Sequence, residues 1–90
     1  MEEKALNDDI LTNVAGGALG MTVIGTATVI TNNLNIREEP DKNSRWLGQT
    51  NAPTRYYVYE IVQNQGFVWY RISEKMWIAN DGTWVSFSSK

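Results

Sequence analysis

Hydrophobic positions follow two different periods along this chain. In the first seventeen residues, Leu6, Ile10, Leu11 and Val14 recur at the three-to-four-residue spacing that lines one side of a helix. The acids Glu2, Glu3, Asp8 and Asp9 stand toward the start, where a helix dipole favours them, and Gly16-Gly17 ends the segment. A helix this short is marginal in water unless something covers its apolar stripe. The segment is therefore expected to be a short helix that docks or is bound, or else to be disordered.

From Met21 the pattern becomes that of strands. Val23, Ile24, Thr26, Thr28, Val29, Ile30 and Thr31 are mostly β-branched, which suits a pleated surface. Asn32-Asn33 breaks the run, and Leu34-Asn35-Ile36-Arg37 alternates apolar with polar, the period of a half-buried strand. A polar stretch from Glu38 to Arg45 with Pro40 reads as a loop, and Trp46–Thr50 as a short strand before the turn Asn51-Ala52-Pro53. Tyr56–Val62 has the strongest strand propensity, followed by a hairpin turn at Gln63-Asn64-Gln65-Gly66 and a strand over Phe67–Ile72. After a tight turn at Ser73-Glu74-Lys75 come the short strand Met76–Ala79, the turn Asn80-Asp81-Gly82 and a last strand over Trp84–Phe87. Many short strands with regular turns predict an all-β fold: a small barrel of about five to seven antiparallel strands, preceded by the helical or disordered segment.

Composition narrows the chemistry. Ninety residues make one domain at most, and the chain has neither cysteine nor histidine. Triads that depend on those side chains, thiolate chemistry and the commonest metal ligands are thereby excluded, so no metal and no cofactor is expected. The only carboxylate cluster is Glu38, Glu39 and Asp41, on an exposed loop. Acting as the acid and nucleophile of a glycoside hydrolase is the weakest of its readings, and a solvated loop the strongest. The chain is not expected to be an enzyme. A net charge of −2 offers no basic patch for nucleic acid, and no stretch approaches the roughly 20 apolar residues that span a membrane. Neither nucleic acid nor membrane insertion is expected. The acidic start is also unlike a standard secretory signal.

The charge divides at Gly17: residues 1–17 carry a net −3, residues 18–90 a net +1, and all ten aromatics lie from Trp46 onward. Strand alternation puts Tyr56 and Val58 on one face and Tyr57 and Tyr59 on the other. It likewise pairs Tyr70 with Ile72 and opposes them to Trp69 and Arg71. If the first of each pair faces the core, Tyr57, Tyr59, Trp69 and Trp46 are candidates to line a binding surface, since aromatic faces anchor sugar rings and peptide side chains. Trp77 and Trp84 read rather as cover for the rim of the core. Arg37 either binds a ligand carboxylate or pairs with Glu38 or Glu39.

Two resemblances sharpen this. Leu6, Leu11 and Val14, set twelve, seven and four residues before the end of Gly16-Gly17, resemble the double-glycine leader peptides of bacteriocins. That resemblance implies recognition of the stripe by a leader-processing ABC transporter with a peptidase, and cleavage between Gly17 and Ala18. The chain would then divide into a leader, 1–17, and a working domain, 18–90. In that domain Leu34-Asn35-Ile36-Arg37 with Pro40, Trp46-Leu47-Gly48, Tyr56 with Val58, Trp69-Tyr70-Arg71-Ile72 and Met76-Trp77-Ile78-Ala79 resemble, in order, the strands of bacterial SH3 domains. Glu39 and Met76 stand where that family usually has glycine, Ala52-Pro53 where a turn glycine is common, and Asn80–Lys90 extends past the usual pattern. The resemblance implies an SH3-like barrel that binds cell-wall peptidoglycan or a peptide, secreted or wall-associated once the leader is removed. The alternative is an uncleaved interaction protein whose N-terminal helix docks in cis or on a partner.

Overall fold

The computed structural model describes residues 20–90, and these form an all-β domain. The leader positions Leu6, Leu11, Val14, Gly16, Gly17 and Ala18 lie outside the described residues. Eight short strands follow one another: β1 Gly25–Val29, β2 Leu34–Arg37, β3 Trp46–Thr50, β4 Thr54–Val58, β5 Glu60–Asn64, β6 Phe67–Ser73, β7 Met76–Asn80 and β8 Val85–Ser89. They make a three-stranded sheet, β4-β1-β8, and a five-stranded sheet, β3-β2-β7-β6-β5, with antiparallel pairing throughout.

The strand count exceeds the expected five to seven because one expected strand is two. The run Tyr56–Val62 divides at Tyr59, β4 joining the smaller sheet and β5 the larger. Val58 and Tyr59 are both buried, so the alternation loses its phase where the chain passes between sheets. Tyr59, expected on the surface with Tyr57, is thus turned inward and only 8% exposed. Its backbone N–H donates to the Arg71 carbonyl at 2.9 Å, which ties the crossing to β6.

The main core lies between the sheets. Ala27 and Val29 of β1, Leu34 and Ile36 of β2, Val58, Tyr70, Ile72, Ile78 and Val85 form one buried cluster. Alternation decides these positions: β1 buries every second residue, as does β2. Each fully buried Val or Ile contributes about 1.5–3 kcal/mol of transfer free energy, so this cluster is the main stabilising element of a small domain. At one edge the Phe87 ring stacks on Tyr70, with centroids 5.1 Å apart and planes 11° from parallel.

Local turn chemistry sets the register of the larger sheet. Gln65 and Gly66 both have positive φ, 58° and 81°, the backbone of a two-residue type I′ hairpin turn whose twist matches its strands. It aligns Asn64 with Phe67 and Val62 with Trp69. This turn also holds the long β2–β3 loop. Gln65 Oε1 accepts from the Lys42 backbone N–H (2.8 Å), Gln65 Nε2 donates to Asp41 Oδ1 (3.2 Å), and Asn64 Nδ2 donates to the Pro40 carbonyl (3.0 Å). The loop leaves β2 and meets the far hairpin of the same sheet, so it crosses the outer face over β7 and β6.

Candidate functional site

The outer face of the five-stranded sheet carries the site, and the registers lay its side chains out in rows. Arg37 pairs with Trp46 on one side and with Trp77 on the other, Trp77 with Arg71, and Arg71 with Glu60. This row reads Trp46, Arg37, Trp77, Arg71, Glu60 across the sheet. The Arg71 guanidinium lies 5.7 Å from the Trp77 ring centroid and bonds Glu60 at 3.0 Å. In the next row Gln49 pairs with Asn35 and Ala79 with Trp69, which pairs with Val62; the β2–β7 pairing ends at Ile36 and Ile78, and Asn35 and Ala79 both line the cleft beyond it.

The small side chain in the middle of that row shapes the surface. Ala79 stands between Asn35 and Trp69, and a cleft of about 330 Å³ opens there. Trp69 and Ala79 are buried and form its floor, while Thr31, Asn32, Asn33, Leu34 and Asn35 line one side. Phe67 and Trp84 line the other, stacked with centroids 5.5 Å apart and planes 21° from parallel. Arg37 closes the end toward Trp77, and Lys42, on the long loop, lines the cleft from the side of the β5–β6 turn.

A second apolar cluster underlies this face: Trp69, Trp77 and Ala79, with Val62, Phe67 and Trp84 packed against it. Trp69 points to the outer face as expected, yet it is only 2% exposed. The packing around it and the bond from its Nε1 to the Asn64 carbonyl (3.1 Å) make it a fixed floor rather than a free anchor. Trp77 is buried in the same cluster, and Trp84 is half-buried between the two clusters, both in keeping with the rim role expected of them.

Trp84 is placed by a single buried side chain. Asn80 Oδ1 accepts from the backbone N–H groups of Gly82 (3.0 Å), Trp84 (3.1 Å) and Val85 (3.1 Å). The Trp84 carbonyl accepts from Ile30 N–H at 2.9 Å. The indole that walls the cleft is therefore held through its backbone on both sides.

Of the five residues chosen from sequence, Arg37 and Trp69 meet in the cleft. Trp46 is 54% exposed on the edge strand, its Nε1 donating to Asn35 Oδ1 at 2.9 Å, one residue row away. Tyr57 lies on the smaller sheet beside Val23, Gly25, Thr26 and Lys90, apart from the cleft. Tyr59 is in the interior. Arg37 forms neither of the ion pairs expected with Glu38 or Glu39; its Nη1 donates to the Ser44 carbonyl at 3.1 Å. Asp41 is used within the loop, its Oδ1 accepting from Asn43 N–H at 2.7 Å as well as from Gln65. Phe67, Trp84, Asn35 and Lys42 were missed as site residues, because only the sheet register and the returning loop bring them together. No protein-family model, curated protein or solved structure matches this chain.

Proposed function

We propose that this chain is a bacterial-type SH3-like binding module that recognises cell-wall peptidoglycan or a peptide through the outer-face cleft, and that it acts without catalysing a reaction. The observation that carries this is the cleft itself: a concave site with a buried tryptophan floor, a stacked aromatic wall, amide side chains and two cations, Arg37 and Lys42, on its rim. Ligand sites are commonly concave, mostly apolar and preformed, with a few polar groups to orient the guest. Rigid aromatics supply contact area at low entropic cost. In this reading residues 1–17 serve delivery, and the domain works outside the cell.

The test is cosedimentation of the full chain with purified sacculi, set against Ala79→Leu. The larger side chain fills the cleft while facing away from the main core. Binding by the parent protein and its loss in a variant that keeps its thermal transition support the proposal. Absence of sedimentation with sacculi and of any peptide-induced change in tryptophan fluorescence overturns it. Mass spectrometry of the secreted protein tests the delivery step, for which a species beginning at Ala18 is expected.

A further inference from the structure

The polar groups of the cleft are unbalanced: they donate and find little to accept. Arg37 has five N–H donors, of which one meets an acceptor among the described residues, the Ser44 carbonyl. Among the described residues no carboxylate lies within 4.0 Å of Arg37 or Lys42. Asn35 is held in one orientation, because its Oδ1 accepts from both Trp46 Nε1 (2.9 Å) and Gln49 Nε2 (3.3 Å). Its NH₂ group is left as the free half of the amide, and it too is a donor. Two donor groups, the Arg37 guanidinium and the Asn35 amide, thus await an acceptor-rich group.

The opposite end carries the aromatic pair. Phe67 lies two residues before Trp69 on β6, so the Phe67–Trp84 pair stands one row beyond Asn35, away from Arg37. From Asn33 to Arg37 the cleft follows β2 for about 13 Å at roughly 3.3 Å per residue, the length of three or four extended residues. A ligand with a carboxylate at one end and an apolar or planar portion about two residues away fits this polarity.

Resting on the peptide-binding reading above, we infer that the cleft takes a short extended peptide by its free C-terminal carboxylate, held by Arg37 and Asn35, with the preceding residues against Phe67 and Trp84. Arg is suited to this because its planar fork matches a carboxylate with two parallel bonds. The Ser44 carbonyl holds that fork from the loop side.

The experiment is titration of the full chain, followed by tryptophan fluorescence, with the tetrapeptide L-Ala-γ-D-isoGln-L-Lys-D-Ala. Its C-terminal carboxylate is its only carboxyl group, and the same peptide as a C-terminal amide is the control. The free acid is expected to bind at least about tenfold more tightly than the amide, the scale of a charge-assisted hydrogen bond. Added salt weakens the acid more than the amide. Arg37→Gln and, separately, Asn35→Ala reduce the difference, and Asn35 is exposed enough to be changed without disturbing the core. Equal binding of acid and amide overturns this inference and leaves the peptide reading standing. Binding of neither overturns both.

Discussion

Replacing Asn80 by alanine removes one acceptor and strands three donors. The residue ends β7, is 9% exposed, and its Oδ1 receives the N–H groups of Gly82, Trp84 and Val85. The Val85 N–H is buried, so its loss of a partner costs about 1–3 kcal/mol. The other two are partly exposed and recover water, for about 0.5–1 kcal/mol each. The expected loss is therefore roughly 2–5 kcal/mol, out of a total on the order of 5–10 kcal/mol for a domain this small. At about 4–8 °C per kcal/mol, the thermal midpoint falls by at least about 8 °C. Asn80→Asp keeps an oxygen in the same place and loses less than half as much near neutral pH. Thermal and urea unfolding followed by far-UV circular dichroism measure both variants. The cleft should suffer too, because the same oxygen sets the backbone of Trp84, so peptide binding weakens even where the variant is fully folded. An Asn80→Ala midpoint within about 1 °C of the parent would refute the reasoning, as would equal losses for alanine and aspartate.

Three further outcomes follow from other parts of the molecule. A Cβ on Gly25 would stand near the Phe87 ring and the Ser88 carbonyl, closer than any real side chain tolerates, so Gly25→Ala is expected to cost about 1–3 kcal/mol in urea unfolding and to disturb the Phe87–Tyr70 stack. Gln65→Ala releases the β2–β3 loop from the β5–β6 turn; stability should change by no more than about 1 kcal/mol, while hydrogen exchange at the Lys42 amide accelerates and peptide affinity drops. Burial, and secondarily the charge on Tyr57, raises the Tyr59 hydroxyl above its ordinary value of 10.0. The unfolded chain then ionises first, so the stability present below pH 10 declines as pH rises toward the folded value; Tyr59→Phe should flatten that alkaline decline in unfolding curves.

Much of the fold could be read from local pattern. Alternation at Leu34–Arg37 and the apolar identity of Tyr70, Ile72 and Ile78 point the same side chains inward that the structure buries. Turn chemistry at Gln65-Gly66 and Asn80-Asp81-Gly82 marks the ends of strands, because those backbones favour few residue types. What period alone misses is a change of sheet. Tyr59 breaks the alternation at the point where β4 gives way to β5, and nothing in Tyr57-Val58-Tyr59 announces it.

The site was less legible, for the same physical reason. A strand's own residues tell which share a face, and they put Trp69 and Arg37 on the outer side of the sheet. Which residues become neighbours across that face depends on register and on long-range bonds. The β6–β7 register sets Ala79 beside Trp69, and the β2–β7 pairing at Ile36 and Arg37 brings Asn35 to the same cleft, with the small residue where it opens. The β5–β6 turn draws Lys42 over the sheet through Gln65, and Asn80 seats Trp84 against Phe67. Local sequence determined the strands, the turns and the core face, because their physics acts over a few residues. Tertiary structure alone decided the cleft, because its walls come from four separate stretches of chain held together by packing and a few hydrogen bonds.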